Sequence, residues 1–154
     1  MRIEDIMNVE ATRIPGDSTI VDAVELISRK QVSDLMVVDE DGKFLGVLSE
    51  GDVIRSLLPD YEKMIGDQVV LRDAWRIFLE NGRKKRNDPI APLVIRSPIT
   101  VKPDDELLGV AAIMVARSIR RLPVVDGRHL VGTVSRSDIC RGALDLSRIS
   151  RARW

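Results

Sequence analysis

The sequence predicts a mixed α/β fold, of the α+β kind, made of two β-α-β-β-α repeats packed as a pseudo-symmetric pair with an inserted helical linker. Two observations carry this. First, the stretch LPVVDGRHLVGTVSRSD at residues 122–138 has a partner, LMVVDEDGKFLGVLSEGD, at residues 35–52. Second, each is preceded by an apolar stripe at helical spacing. Ile20, Ala23, Val24 and Ile27 stand at i, i+3, i+4 and i+7, as do Leu107, Val110, Ala111 and Met114.

The register holds residue by residue. At an offset of 87, Asp17 falls on Asp104, Leu35 on Leu122, Val37 on Val124, Val38 on Val125 and Asp39 on Asp126. One residue is lost in the second turn, so Gly46 falls on Gly132, Ser49 on Ser135 and Asp52 on Asp138 at an offset of 86. Residues 122–125 are apolar, β-branched and bounded by turn formers, which predicts a buried strand. Asp126-Gly127 predicts a tight hairpin, because glycine tolerates the positive φ such turns need. A second strand follows at residues 130–134, and Ser135-Arg-Ser-Asp138 then opens a helix running into residues 139–144. In the first repeat a short strand is expected at residues 12–14. Thr19-x-x-Asp22 then caps a helix to about Lys30, and a closing helix runs from about Gly51 to Leu58 until Pro59 stops it. Residues 93–101 are expected to supply the leading strand of the second repeat.

Residues 59–92 lie outside the duplicated pattern and read as a linker. The domain boundaries are therefore 1–58 for the first repeat, 59–92 for the linker, 93–146 for the second repeat and 147–154 for a basic tail. Within the linker, Leu71, Ala74, Trp75 and Phe78 form a helical apolar stripe that Asn81-Gly82 is expected to end. Packing of Tyr61, Trp75 and Phe78 onto the repeats is the plain reading; a partner-docking surface is the other. Arg83 to Arg86 reads as a solvated helix end near the negative pole of the dipole. In the tail, Arg148, Arg151 and Arg153 are either surface charge or contacts to an anionic ligand.

Composition narrows the classes. A formal net charge of zero gives no global field to recruit nucleic acid or an anionic membrane, and the basic run lacks aromatic interleaving. No apolar stretch approaches the ~20 residues that cross a bilayer, and residues 1–10, acidic and without a continuous apolar run, are not expected to act as a signal peptide. The lone cysteine, Cys140, forms no internal disulfide, which suits a cytoplasmic protein; its apolar setting predicts a buried thiol. His129 is expected in an exposed turn. With no histidine or cysteine cluster at metal-ligand spacing and no phosphate-cradling glycine loop, neither catalytic nor metal-binding residues are assigned.

Both repeats resemble cystathionine-β-synthase (CBS) domains, which usually occur as tandem pairs called Bateman modules. The resemblance rests on the apolar-Pro-Val-Val-Asp strand and on Gly-apolar-apolar-Ser/Thr-x-x-Asp at the strand-to-helix junction. The second repeat fits throughout, with Thr100 and Pro103 in its leading segment. The first departs from the pattern at Arg13, Gly16 and Met36.

The resemblance implies a regulatory module without enzymatic activity. Such a module binds an adenosine-containing ligand, AMP, ADP or ATP, in a cleft between repeats and signals by conformational or oligomeric change. It implies no resident cofactor, admits S-adenosylmethionine, NAD and a divalent-cation role, and suggests a homodimer acting on an effector enzyme or transporter in trans. The alternative is a dimerising scaffold with vestigial clefts. The nucleotide-binding candidates are Thr100, Arg120, Arg121, Ser135, Arg136 and Asp138, with Ser49 and Asp52 in the first repeat. A helix start presents free N–H groups that suit phosphate, and a carboxylate three residues on can accept from ribose hydroxyls. Ser-x-x-Asp is equally a helix cap, and both readings stand at this level.

Overall fold

A computed structural model of the chain describes residues 1–59 and 71–144. Tyr61 and the tail arginines lie outside them. The first repeat runs β1 (Arg13–Pro15), α1 (Ile20–Lys30), β2 (Asp34–Val38), β3 (Phe44–Ser49) and α2 (Glu50–Leu57). Linker helix α3 (Leu71–Lys85) follows, and the second repeat contributes α4 (Leu107–Ala116), β4 (Arg121–Asp126), β5 (His129–Ser135) and α5 (Arg136–Ala143). Strands β1, β2 and β3 form one sheet in that order, and β4 pairs antiparallel with β5. The β4–β5 turn is tight, with Asp126 opposite His129 and Gly127 at φ 60°. Two β-α-β-β-α-like repeats and a helical linker are thus present. The leading strand of the second repeat is reduced to one parallel bridge between Val101 and Val124. The expected longer strand fails because Leu93 belongs to a 3-10 turn at Ala91–Leu93 and packs elsewhere, as described below.

The chain forms two compact units: one from residues 1–11, 38–44 and the described part of 97–154, the other from the described part of 12–37 and 45–96. Each has its own core, and the cores match position by position. Ile14, Ala23, Leu35, Val37, Leu48 and Val53 in one stand where Val101, Val110, Leu122, Val124, Val134 and Ile139 stand in the other.

Two of the most buried residues come from segments with no periodic signal. Ile3 is fully buried with the second repeat's elements, and Ile90 with the first's. They too are 87 residues apart, so the last residues of the linker stretch have a counterpart at the N-terminus. The same backbone bonds fix both segments. Ile3 N donates to Asp105 O at 3.0 Å and Leu107 N to Met1 O at 3.1 Å; Ile90 N donates to Ser18 O at 3.0 Å and Ile20 N to Asp88 O at 2.9 Å. Each borrowed segment thereby satisfies an otherwise orphan donor at the start of a helix. It then runs against the strand that carries the motif glycine. A Cβ at Gly132 would stand 2.8 Å from Asn8 O, and one at Gly46 would collide with Ile95 O. The glycine is there because a second backbone passes too close for a side chain.

Helix α1 is capped as expected: Thr19 N donates to Asp22 Oδ2 at 2.9 Å and Asp22 N to Thr19 Oγ1 at 3.4 Å. Helix α3 departs from expectation twice. It continues through Asn81-Gly82 to Lys85, because tertiary bonds hold its last turns: Asn81 Nδ2 donates to Leu57 O and Lys85 Nζ to Ser56 O, at 2.9 and 2.6 Å. Its docked side carries buried Ala74, whereas Trp75 remains 61% exposed with Phe78 stacked beside it at a centroid distance of 6.1 Å. The expected packing of Trp75 onto the repeats does not occur in the described residues. Trp75→Ala is therefore expected to leave the melting temperature within about a degree of wild type; a fall of many degrees in a thermal melt would contradict this exposure. Cys140 is also exposed, because α5 turns Ile139 and Gly142 inward and Cys140 falls off that face.

Candidate nucleotide site at the strand-to-helix junctions

Strands β3 and β5 each end on a serine that is the N-cap of the next helix, and both caps are complete. In the second repeat Ser135 N and Ser135 Oγ donate to Asp138 Oδ2 at 2.8 and 2.6 Å, while Asp138 N donates to Ser135 Oγ at 3.2 Å. Ser137 Oγ lies 2.8 Å from Ser135 Oγ. In the first repeat Ser49 N and Oγ reach Asp52 Oδ2 at 3.1 and 2.7 Å, and Asp52 N returns to Ser49 Oγ at 3.2 Å. The capping reading of Ser-x-x-Asp is realised twice, and it consumes one carboxylate oxygen each time.

The junctions differ in the other oxygen. Asp52 Oδ1 is held by the Arg55 guanidinium one turn on. Asp138 Oδ1 has no partner among the described residues, and the counterpart of Arg55 is Arg141. Burial, the largest single influence on Asp52, pushes its pKa up. The Ser49 hydroxyl, the Ser49 N–H and Arg55 together outweigh it and hold the carboxyl below its ordinary value. Asp52 is thus a committed anion, while Asp138 keeps two acceptor sites on Oδ1.

The remaining candidates divide. Arg121 stands directly opposite Ser135 in the β4–β5 ladder, and its Nη1 donates to Thr133 Oγ1 at 3.2 Å. Thr133 is 1% exposed and replaces the Val47 of the first repeat. A polar residue in an otherwise apolar strand was the available sign that it serves Arg121. Thr100 is exposed, one residue ahead of the Val101 bridge to β4. Arg120 is exposed, and its carbonyl accepts from Arg136 N at 3.0 Å. Arg136 is turned back on its own repeat, with Nε donating to Ile119 O at 2.8 Å and Nη2 to Met114 O at 3.1 Å. Thr100, Arg120, Arg121, Ser135, Arg136 and Asp138 all lie in one compact unit, and Ser49 and Asp52 lie in the other. Among the described residues no group of three or more His, Cys, Asp or Glu side chains could hold a metal ion, and no helix is long and apolar enough to cross a membrane.

The model of the CBS domain family matches residues 3–59 and 90–145. The chain belongs to the CBS domain family. Both matches begin at the borrowed isoleucines, Ile3 and Ile90. The CBS pair is 30% identical to protein MJ1426 of Methanocaldococcus jannaschii, over 90% of this chain and 89% of that one. It is 27% identical to the chloroplastic CBS domain-containing protein CBSX2 of Arabidopsis thaliana, over 88% of this chain and 59% of that protein. The structure of CBSX2 in complex with AMP is similar at a TM-score of 0.72, with 26% identity, 96% of this chain covered and 98% of that one.

Proposed function

We propose that this CBS pair is a regulatory, non-catalytic module that binds an adenosine-containing ligand, AMP, ADP or ATP, through its second repeat. The observation that carries the reading is Asp138 Oδ1. It is a carboxylate oxygen with no partner among the described residues, at the start of a helix whose cap, Ser135, stands across the ladder from Arg121. Ribose hydroxyls donate to such an oxygen, and the arginine and the helix N–H groups favour phosphate. The AMP complex of CBSX2 supports the ligand class. Arg120 and Thr100, both exposed, remain available to a ligand; Arg136 acts mainly as a clamp. Ser49 and Asp52 contribute less, because Arg55 already holds Asp52. Signalling follows from differential affinity of the ligand for two arrangements of the module, with an effector enzyme or transporter responding in trans. A thermal-shift screen against adenine compounds tests this. A nucleotide at a hundredfold excess over its Kd stabilises by ~2.7 kcal/mol, read as a melting shift of several degrees. No shift with AMP, ADP, ATP or S-adenosylmethionine would favour the scaffold reading.

A homodimer is supported by α4. Residues 107–116 contain no polar side chain, yet Leu108 is 80% and Val115 75% exposed. A helix apolar all round is ordinarily covered on every side. Light scattering is expected to give a dimer at tens of micromolar, and Leu108→Glu a monomer; a wild-type monomer would contradict the assignment.

A further inference from the structure

The two repeats differ in one respect that helix capping does not use. In the second repeat the Arg136 side chain lies over the end of α4, bonded to the carbonyls of Met114 and Ile119. The first repeat reproduces the surrounding backbone. Gln31 and Ser118 hold the same left-handed turn after the helix, at φ 53° and 54°. Glu50 N donates to Ser33 O at 2.9 Å as Arg136 N does to Arg120 O. Glu50, however, stands where Arg136 stands, and Asp34 where Arg121 stands. In place of the clamp there is a solvent-open cavity of 370 Å³ lined by Ile27, Ser28, Gln31, Val32, Ser33 and Glu50.

We propose that this cavity is a binding site for a guanidinium group brought by another molecule. Three features of the cavity fit that chemistry. Ile27 and Val32, the counterparts of the two residues whose carbonyls Arg136 engages, both line it. The end of α1 supplies the negative pole of a helix dipole. Glu50 adds a carboxylate where the second repeat has its own cation, so the first repeat offers the acceptor and lacks the donor. The lining thus includes the counterparts of both residues that hold Arg136 in the second repeat, with Glu50 added, and a planar fork of donors suits carbonyls and a carboxylate better than a compact ammonium does. The site lies wholly within one repeat and is independent of the nucleotide reading.

The test is a titration of the wild-type chain with agmatine, with N-acetyl-arginine amide and with n-butylammonium, followed by amide chemical shifts. Either guanidinium probe is expected to shift Ser28, Gln31, Val32 and Ser33, and n-butylammonium to bind more weakly. Agmatine alone binding assigns a free small-molecule ligand; the blocked arginine binding as well assigns an arginine presented by a polypeptide. Glu50→Gln is expected to weaken binding about tenfold. Glu50→Arg, which rebuilds the clamp of the second repeat, is expected to abolish binding and raise the melting temperature. No shifts at these four residues with either guanidinium probe, or binding unchanged in folded Glu50→Arg, would overturn the proposal.

Discussion

Ile90→Ala is expected to cost ~2–5 kcal/mol, the range for truncating a large aliphatic side chain in a packed core. By primary structure Ile90 sits at the end of a linker, where an alanine would ordinarily cost little. In the fold it is fully buried among Ile14, Ile20, Leu35 and Leu48, and its N–H is bonded to Ser18 O. Ile3→Ala is expected to behave alike, because Ile3 occupies the matching place beside Val101, Val110 and Leu122. Urea or thermal unfolding measures both. A loss under 0.5 kcal/mol, the ordinary scale of surface substitutions, would mean that the borrowed segments are dispensable.

The other large effect concerns ligand response. Asp138→Ala removes the cap and the free oxygen together, so the apo protein loses ~0.5–2 kcal/mol. The nucleotide-induced melting shift is expected to vanish, a loss of the full ~2.7 kcal/mol at a hundredfold excess over the wild-type Kd. Asp138→Asn separates the two roles, since the amide oxygen can still cap while the carboxylate is gone. Asp52→Ala is expected to keep most of the shift, because Arg55 already holds the oxygen a ribose would need. A shift that survives Asp138→Ala and disappears with Asp52→Ala would move the site to the first repeat.

Much of this was legible in the residues, for identifiable reasons. Helical spacing placed α1 and α4, and apolar β-branched runs between turn formers placed the hairpin strands β2 to β5. The duplication carried the pattern from one repeat to the other, although the expected leading strand of the second repeat is only a bridge. Thr19-x-x-Asp22 and both Ser-x-x-Asp sequences formed the caps their spacing implies. What escaped the sequence was tertiary. A single isoleucine such as Ile3 or Ile90 has no period, so nothing local says which core it enters. Asn81-Gly82 carries a stop signal that two side-chain bonds to α2 overrule. Trp75 lies on the stripe yet points off the docked face, since a helix buries one side of an apolar cluster and can leave the rest outside. At the site, the pairing of Ser135 with Asp138 could be read from spacing. The difference between an Asp138 Oδ1 without a partner among the described residues and an occupied Asp52 Oδ1 depends on where Arg55 points, which spacing does not determine.

The most direct measurement is a titration of the wild-type chain with AMP, followed by backbone amide chemical shifts. The expected result is saturable shifts concentrated at residues 135–138 and at Arg121, absent in Asp138→Asn. Shifts confined to residues 49–52, or a spectrum unmoved by millimolar AMP, ADP and ATP, would contradict the assignment of an adenosine site to the second repeat.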